Sequence, residues 1–332
     1  VGLTQSTSWL RGVRTEHGVW RGRPFTSVGA FASELEFQRY QPRPALAALL
    51  VDCDLIQVVC GSPAWAWSVC GLGKPVAVQC ATRAIVERRR RDATVRGFKA
   101  AWRRGMNSFT DRFDCKALQA VDAIQVENPW MFDYARKVNI GRPDAIIRYA
   151  PPGVDAERFR PAAFRDLRRD PYILCVGRLD DPRKHIGLLL EAYAGLPDAL
   201  KQTTRLVLAG SAGPESDFWM QVAALGLNGR VEFVRFPNPE VLLHLYQAAT
   251  VFALSSDEEG LGVVILEAMA CAIPVVSTRS GGPDGIITDG QDGYLVGLDN
   301  AKALADRLAR LLSDEELNRR MGEAARKTIL QR

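Results

Sequence analysis

The sequence has few metal-ligating side chains and no framework of paired cysteines. Its 332 residues include three histidines and seven cysteines, and no two cysteines form a C-x-x-C pair. Because structural zinc sites and disulfide scaffolds depend on such spacing, we expect no metal and no disulfide framework. Reduced thiols are typical of a cytosolic protein, so a cytoplasmic location is expected.

The sequence also lacks an uninterrupted apolar run long enough to cross a bilayer. Between Asp54 and Lys74 lie 19 uncharged residues, but a glutamine, a glycine and the Ser62-Pro63 pair interrupt them. A membrane-spanning helix needs about 20 mostly apolar residues. A buried strand at 55–59, a loop and a short apolar helix therefore describe this stretch better. No signal peptide is visible in a sequence that starts at Val1.

Charge of one sign is not in large excess over the whole chain. The 43 Lys and Arg against 38 Asp and Glu give a formal net charge of +5, too little for a chain built wholly around nucleic acid. The excess is local, because residues 83–112 contain ten basic and three acidic side chains, a net +7. The rest of the chain therefore carries a net charge of −2.

The basic segment has an apolar pattern at helical spacing, formed by Val95, Phe98, Trp102, Met106 and Phe109. Three interpretations are open: a helix packed on its own sheet with its arginines in water, a helix lying on anionic lipid, and a nucleic-acid site. We favour the first, because two glycines weaken the helix and most charge runs are solvated. No nucleic-acid-binding motif accompanies the charge.

The length predicts two domains, each able to bury its own core. About 150 residues per domain gives two for this chain. Apolar residues make up 47% and charged residues 24%, which excludes a disordered chain, a coiled coil and a collagen-like rod. Proline and a dense charge cluster favour a boundary within 153–170. We predict an N-terminal domain at 1–160 and a C-terminal domain at 161–332.

Short β-rich runs alternate with segments of helical periodicity in the second half. Such alternation predicts a parallel sheet covered by helices on both faces, with ligands bound beyond the carboxyl ends of the strands. The predicted strands here are 172–177, 205–210, 231–236, 251–256 and 274–277, and the helices are 185–196, 217–226, 239–248 and 262–271. In the first half the predicted strands are 55–59, 75–79, 122–126 and 145–149.

The strongest functional signal is the segment 258–296, which follows a predicted strand and opens an apolar helix. Gly260 and Gly262 would let the backbone approach a ligand closely, and a helix N-terminus offers N–H groups to a phosphate. Glu267 stands in an otherwise apolar run, where a buried carboxylate needs hydrogen bonds that ribose hydroxyls could supply. A glutamate turned to solvent, or one serving as a cap, is the alternative.

The second signal is CVGRLDDPRKH at 175–185. Arg178 and Lys184 follow a predicted strand and stand on its carboxyl-end loop. A guanidinium can bind a diphosphate through two hydrogen bonds, and an ammonium binds it as a point charge. Two solvated surface cations are the alternative interpretation.

Together these segments resemble the C-terminal domain of family-four (group 1) glycosyltransferases of the GT-B fold. The resemblance implies an α/β protein with two Rossmann-like domains whose parallel sheets face each other across a cleft. The matching motifs are GVD…F.P at 153–161, GRLD…K at 177–184, E-x7-E at Glu259 and Glu267, LEAMA..IPVVS at 266–277, GGP at 281–283 and DG..GYLV at 289–296.

The resemblance implies a retaining hexosyltransferase that uses a nucleotide-diphosphate sugar, a hydroxyl acceptor, no metal and no further cofactor. Arg178 and Lys184 would bind the diphosphate, and Glu259 would contact the sugar; these three are the expected catalytic residues. Donor phosphate oxygens would take the proton of the incoming hydroxyl of a lipid-linked or polysaccharide intermediate. The positions assigned to donor binding are Gly177, Arg235, Phe236, Gly260, Leu261, Gly262, Val263 and Glu267.

The sequence departs from the family pattern in both halves. Arg235 stands where glycine is usual, Leu261 where phenylalanine is usual, and Asp284-Gly285 where a glutamate often follows GGP. These departures leave the identity of the donor open. Asp52-Cys53-Asp54 has the D-x-D form of metal-dependent glycosyltransferases of another fold, but it precedes a strand and is expected to be a solvated turn.

The N-terminal half lacks two features of the family. Residues 1–45 show no strand–glycine–helix opening, and the strand at 75–79 leads into Cys80-Ala81-Thr82 where a histidine is usual. Only Thr82 and Arg83 are candidates for the cleft. These gaps suggest a fragment that lacks both chain ends.

Two rival functions follow. The chain could bind a nucleotide-sugar without transferring it, or it could be a peripheral adaptor that attaches to an anionic membrane surface through residues 83–112. The expected partners are therefore a donor, a hydroxyl acceptor and an anionic membrane surface, but no nucleic acid. The expected location is the cytoplasm, including the inner face of the membrane.

Overall fold

The chain forms two compact units in a computed structural model, Val1–Pro151 and Pro152–Arg332. The structure describes residues 2–3, 14–20, 22–32, 35–93, 95–163 and 170–332. Residues 152–160 belong to the second unit, whereas the sequence places them in the first domain. Most of the charge cluster near the predicted boundary, residues 164–169, lies outside the described residues.

The first unit contains two sheets. One has the order β4-β5-β6-β7 with all pairs parallel, and the other has the order β1-β3-β2 with an antiparallel hairpin. The strands are β1 (Gly2–Leu3), β2 (Thr15–Trp20), β3 (Arg23–Val28), β4 (Ile56–Cys60), β5 (Val76–Cys80), β6 (Ala123–Val126) and β7 (Ile146–Tyr149). The helices are α1 (Pro44–Leu49), α2 (Ala84–Ala93), α3 (Phe98–Ala120) and α4 (Pro129–Val138), with 3-10 turns at Glu36–Tyr40 and Pro63–Ser68.

The four strands predicted in this half are confirmed, each beginning one residue after its predicted start. The uncharged stretch after Asp54 is strand β4, a loop and the apolar 3-10 turn Pro63–Ser68. No helix of the described residues is long and apolar enough to cross a membrane. Both aspartates of the D-x-D sequence are exposed in the turn before β4.

The favoured interpretation of the basic segment is wrong for most of its apolar residues. A single helix packed inward is expected there, but Gly97, at φ 67°, separates α2 from α3. Of the five aromatic or Met residues on α3, Met106 is buried and Phe113 is half-buried, whereas Phe98, Trp102 and Phe109 are exposed. Phe98 and Trp102 lie near the exposed beginning of α3, and Phe109 contacts the Phe37 ring (centroids 6.1 Å apart) while remaining 46% exposed.

The second unit is a six-stranded sheet of order β10-β9-β8-β11-β12-β13 in which every pair is parallel. Its strands are β8 (Tyr172–Val176), β9 (Arg205–Gly210), β10 (Val231–Arg235), β11 (Val251–Leu254), β12 (Val275–Thr278) and β13 (Gly293–Val296). Its helices are α5 (Ile186–Ala194), α6 (Asp198–Thr203), α7 (Ser216–Ala224), α8 (Pro239–Ala248), α9 (Val263–Ala270), α10 (Gly282–Ile286), α11 (Ala301–Ser313) and α12 (Glu315–Gln331).

Both faces of this sheet are covered, as continuous apolar strands require. Ile173 and Leu174 are adjacent on β8, and their side chains point to opposite faces because a strand alternates with period two. Ile173 packs into one apolar cluster and Leu174 into another. The five strands and four helices predicted here are confirmed, and β13 is an additional strand that is not among those predicted.

Candidate functional site

Loops at the carboxyl edge of the second unit's sheet gather most of the predicted site residues. Parallel strands all end at one edge, so the loops after β8, β11 and β12 meet there. Two backbone hydrogen bonds join the loops after β11 and β12. The Glu259 N–H donates to Ser280 O (2.8 Å), and the Gly282 N–H donates to Glu259 O (2.9 Å). The Ser255 hydroxyl donates to Lys184 O (2.9 Å), which joins the loops after β8 and β11.

Lys184 and Glu259 form an ion pair at the centre of this edge. Lys184 Nζ lies 2.6 Å from Glu259 Oε1, and the two side chains are 16% and 10% exposed. The Ser256 hydroxyl donates to the same oxygen at 2.5 Å. A Cβ at Gly177 would lie 3.5 Å from Lys184 Cε, so the lysine side chain runs along the bare backbone of that glycine. The pair is held in place before any ligand arrives.

Arg178 is the accessible cation of this loop. Its side chain is 66% exposed, and Asp181 Oδ2 lies 3.6 Å from its Nη2. Asp181 is held mainly by Arg183, whose Nη2 lies 2.7 Å from the same oxygen. Burial raises the pKa of Asp181, but hydrogen bonds from Arg183 outweigh burial and hold that pKa below its usual value. The guanidinium of Arg178 is therefore oriented by one ionised carboxylate and is open to an anion.

Glycines shape the entrance to α9. Gly262 precedes the helix at φ 85°, a left-handed conformation that L side chains rarely adopt. A Cβ at Gly282 would lie 2.4 Å from Leu261 O, so only glycine lets the loops after β11 and β12 pack this closely. Leu261 is buried, whereas Val263 at the first helical position is exposed. The N-terminus of α9, which has backbone N–H groups without intrahelical acceptors, therefore faces the accessible side of the edge.

Glu267 is a partly buried carboxylate on α9. The fully buried hydroxyl of Tyr246 donates to its Oε2 at 2.6 Å. Burial raises the pKa of Glu267, while the hydrogen bond from Tyr246 and the charge of Arg158 oppose that rise. A solvent-turned glutamate is excluded, and a protein hydroxyl supplies one of the bonds that burial requires.

Strand β10 ends at an arginine that stacks on the aromatic ring of the next residue. The guanidinium carbon of Arg235 lies 5.3 Å from the centroid of the Phe236 ring, and that ring is exposed. Phe236 has φ 49°, and its N–H donates to Gly210 O at 2.8 Å. Gly210 itself approaches Gly177, because a Cβ there would lie 1.9 Å from Gly177 O. The loop after β10 is thereby tied to the loop that carries Arg178.

Side chains able to ligate a metal also meet near this edge. His185 Nδ1 lies 2.9 Å from Asp257 Oδ1 and 3.4 Å from Asp299 Oδ1. Among the described residues this is the group of three or more such side chains whose ligand atoms lie within 4.8 Å of one another. None of its members was assigned to the site from the sequence.

Both first-unit candidates lie directly after β5, at the carboxyl end of that sheet. Arg83 forms an ion pair with Asp111 and lies 4.1 Å over the Tyr134 ring, so its guanidinium is engaged within its own unit. Thr82 is buried, and its hydroxyl has no hydrogen-bond partner in the described part of the chain. Cys80 is buried, and burial raises the pKa of its thiol well above the ordinary value, so it is an inert structural thiol.

The comparison with protein families shows which family the chain belongs to. The family described as glycosyl transferases group 1 matches residues 159–328, which cover the loops after β8 through β13. The chain belongs to the group 1 glycosyltransferases.

Relatives agree with this assignment. The chain is 35% identical over 201 residues to a GDP-mannose-dependent alpha-(1-6)-phosphatidylinositol monomannoside mannosyltransferase of Mycolicibacterium smegmatis, a match covering 55% of this chain and 52% of that protein. It is 36% identical over 195 residues to a D-inositol 3-phosphate glycosyltransferase of Corynebacterium jeikeium, covering 54% and 46%. The chain thus spans about half the length of the curated relatives it matches.

A solved structure identifies the fold. Sucrose-phosphate synthase from Thermosynechococcus elongatus superimposes with a TM-score of 0.72 at 24% identity, over 92% of this chain and 78% of that one. The fold expectation is confirmed: this glycosyltransferase is an α/β protein of the GT-B class.

One residue of the glycosyltransferase that the sequence reasoning missed is Asp114 on α3. It is fully buried and accepts hydrogen bonds from the Ser62 hydroxyl (2.5 Å) and from the N–H groups of Ala64 (2.9 Å) and Ala84 (3.1 Å). Ser62 and Ala64 follow β4, and Ala84 follows β5, so one carboxylate fastens both carboxyl-end loops of this sheet. Burial raises its pKa to about 6. The available signal was an acidic residue on the buried stripe of α3.

Proposed function

We propose that this group 1 glycosyltransferase moves a sugar from a nucleotide-diphosphate sugar to a hydroxyl acceptor, with retention of anomeric configuration and without a metal. The observation that carries the proposal is the fixed Lys184–Glu259 pair beside the exposed Arg178, at the edge where α9 begins. These groups supply two cations, a helix N-terminus and a carboxylate, which is what a charged sugar donor requires.

The diphosphate is the part of the donor that the site is built to hold. Arg178 offers two parallel N–H groups and Lys184 a point charge, while the α9 N-terminus adds backbone N–H groups and the positive end of its dipole. As the bond from the sugar to the phosphate breaks, negative charge grows on the leaving diphosphate. Groups already oriented toward that charge stabilise the transition state without reorganisation.

The remaining predicted site residues bind the sugar, the ribose and the base of the donor. Glu259 accepts hydrogen bonds from sugar hydroxyls, and Glu267 accepts them from the ribose. The exposed Phe236 ring, with Arg235 over it, offers a stacking surface for the base. Arg235 replaces the glycine usual there, so base recognition is where this chain should differ from its relatives.

The donor phosphate can accept the proton of the acceptor hydroxyl, so the scheme needs no protein base. The bond from sugar C1 to the donor phosphate oxygen breaks while the acceptor oxygen bonds to C1 on the same face. The released phosphate oxygen takes the hydroxyl proton.

The name of one relative supports a nucleotide-sugar donor and a lipid-linked acceptor. One relative's name specifies GDP-mannose and a phosphatidylinositol monomannoside, and the other's specifies D-inositol 3-phosphate. We extend these classes to the present chain as part of the proposal. The site then works in the cytoplasm, against the inner face of the membrane where a lipid-linked acceptor would lie.

A panel of nucleotide-sugars tests the proposal. Each sugar is incubated with the chain and simple alcohol acceptors, with and without EDTA, and products are read by mass spectrometry and anomeric NMR. We expect one donor to be consumed preferentially, an α-linked donor to give an α-linked product, and EDTA to have no effect. Inverted product or loss of activity in EDTA would overturn the mechanism.

The second candidate is a nucleotide-sugar-binding protein without transferase activity. The missing histidine after β5 is the observation that favours it. Calorimetric binding of a donor, combined with no hydrolysis or transfer by this chain or by a longer form of the protein, would establish it. Turnover by either form would exclude it.

Separate substitutions of Glu267 and Tyr246 test whether the Glu267 carboxylate binds the ribose of the donor. Glu267→Ala should weaken donor binding about 10- to 100-fold, because buried hydroxyls lose a charged acceptor. Tyr246→Phe removes the bond that lowers the pKa of Glu267, so the acidic limb of the profile of donor affinity against pH should move to higher pH. Isothermal titration calorimetry with the nucleoside diphosphate from pH 4 to 8 measures both.

The control is Glu267→Gln, which retains the shape of the side chain but does not titrate in this range. Its donor affinity should lack the acidic limb assigned to Glu267. An unchanged limb in both Glu267→Gln and Tyr246→Phe would show that Glu267 does not bind the donor.

A further inference from the structure

The exposed side of α3 combines aromatic and basic side chains, and of these aromatic rings Phe109 also contacts Phe37 of its own unit (centroids 6.1 Å apart). Phe98 is 84% exposed, Trp102 47% and Phe109 46%. They are spaced four and seven residues apart, so they follow one side of the helix. The exposed cations of this segment are Arg96, Lys99, Arg104 and Arg112. By helical geometry Lys99 and Arg112 flank the aromatic side, and Arg104 lies further round the helix. We call these seven residues the aromatic–basic surface.

Most cations of this surface are not neutralised. Among the described residues, Arg96, Lys99 and Arg104 make no ion pair, whereas the neighbouring Arg103 is paired with Asp92 at 3.0 Å. Arg112 lies over the Phe109 ring, 5.6 Å from its centroid. A cluster of cations without internal partners is electrostatically complementary to an anionic surface.

The aromatic–basic surface stands at the functional edge of the first unit's sheet. Asp111 of α3 contacts Arg83 directly after β5, and Asp114 binds the loops after β4 and β5. The helix then runs back to Ala120, before β6 begins. Residues 98–110 span about 18 Å at 1.5 Å per residue. Arg103 and Asn107 in this stretch bind Asp92 of α2, whereas Phe98 and Trp102 lie at its exposed beginning.

We propose that the aromatic–basic surface docks on an anionic lipid bilayer, with Phe98, Trp102 and Phe109 entering the headgroup region and the surrounding cations binding lipid phosphates. Helices with aromatic residues on one side and Lys or Arg flanking them lie in the membrane interface in this way. This inference rests on the proposed function for its purpose, since it would bring a lipid-linked acceptor to the edge where the first unit's loops meet.

The form of the surface favours a bilayer over a single-stranded nucleic acid. Non-specific strand binding uses a basic groove that tracks the backbone, with bases stacked inside it. Here the aromatic side chains stand on the exposed side of α3, which is hydrogen-bonded to α2 on another side. A convex helix can enter a planar interface along its length.

Vesicle binding by the 332-residue chain tests the proposal. Vesicles of phosphatidylcholine alone and of phosphatidylcholine mixed equally with phosphatidylglycerol are co-sedimented with the chain across a salt series, without any donor. We expect binding to the anionic vesicles at low salt, weaker binding as salt rises, and little binding to phosphatidylcholine. Absent binding to anionic vesicles at low salt, or equal binding to both compositions, would overturn the proposal.

Two double variants examine the two halves of the surface. Phe98→Ala with Trp102→Ala should weaken binding about tenfold or more by removing buried apolar area. Lys99→Glu with Arg104→Glu should weaken it at least about 25-fold, taking about fivefold for each cation. Matched controls in the second unit are Met220→Ala for an exposed apolar residue and Arg310→Glu for an exposed cation, and both should bind like the wild type.

The folding control, an oligonucleotide competition and a test of self-association complete the experiment. Circular dichroism must show that the variants are folded; if one variant is unfolded, the other double variant supplies the test. A single-stranded oligonucleotide that displaces the chain from vesicles with higher affinity than lipid would assign the surface to nucleic acid. Self-association lost in the variants would assign it to a second copy. Because no donor is present, vesicle binding can fail while donor turnover succeeds, and the reverse.

Discussion

Replacing Arg178 by alanine should lower the rate of sugar transfer about 100- to 1000-fold, the loss found when a preorganised group facing transition-state charge is removed. The guanidinium is accessible and is oriented by a single carboxylate at 3.6 Å. Because the side chain is largely exposed, its removal opens no cavity and leaves no buried charge. The effect should therefore fall on turnover, with the thermal unfolding midpoint nearly unchanged. Initial rates with the preferred donor, alongside a thermal melt, measure both quantities.

Arg310→Ala is the matched control, since Arg310 is an exposed arginine on α11 of the same unit and is remote in sequence from the edge loops. It should keep wild-type activity. Lys184→Ala makes a useful contrast, because it removes a buried cation and leaves Glu259 without its partner. That variant should lose both activity and stability. Wild-type turnover in Arg178→Ala would remove Arg178 from the diphosphate site.

The sheet of the second unit could be predicted from sequence because local and long-range signals agree there. Strands such as β8 are buried along their whole length, so they read as continuous apolar runs between helical segments. The small hairpin β2–β3 gave no such signal. Its side chains are mostly exposed, and its register is set by pairing between strands that composition does not reveal.

The candidate site could be predicted only to the level of residues on loops. The sequence places Lys184 and Glu259 on loops after different strands, and the fold joins them in one ion pair across 75 residues. No pattern in the sequence predicts that Lys184 forms a largely buried ion pair whereas the Arg178 side chain is accessible to solvent. The same holds for Tyr246, whose bond to Glu267 depends on how α8 packs beside α9.

The basic segment shows why an amphipathic pattern does not decide which side is buried. Helical spacing of Phe98, Trp102 and Phe109 is equally compatible with an inward stripe and an outward one. Gly97 separates α3 from α2. The buried position of Asp114 fixes the rotation of α3 about its own axis. The buried acidic residue, which apolar patterning treats as an exception, thus decides which side of the helix faces solvent.

Replacing Asp114 by alanine should destabilise the first unit by about 3 kcal/mol at pH 7, because three buried donors lose their acceptor and each unsatisfied donor costs about 1–3 kcal/mol. The loss is reduced in part because the ionised carboxylate itself is costly to bury, as its raised pKa of about 6 shows. Ser62→Ala removes one donor together with its bond and should cost only about 1 kcal/mol. Asp144→Ala, at an exposed aspartate, should cost nothing measurable.

The pH dependence identifies the carboxylate as the source of this loss. A folded pKa of about 6, above the unfolded value, means that the native state binds more protons between pH 4 and 6, so the stability that Asp114 contributes falls as pH rises through that window. The penalty of Asp114→Ala should therefore grow by about 1 kcal/mol from pH 7 to pH 5. Urea unfolding followed by tryptophan fluorescence reports mainly on this unit, since six of the seven tryptophans lie in it. A penalty that shrinks at pH 5 would mean that the carboxylate is stabilised, not strained, in the core, and that it fastens the two loops as an ordinary charged acceptor.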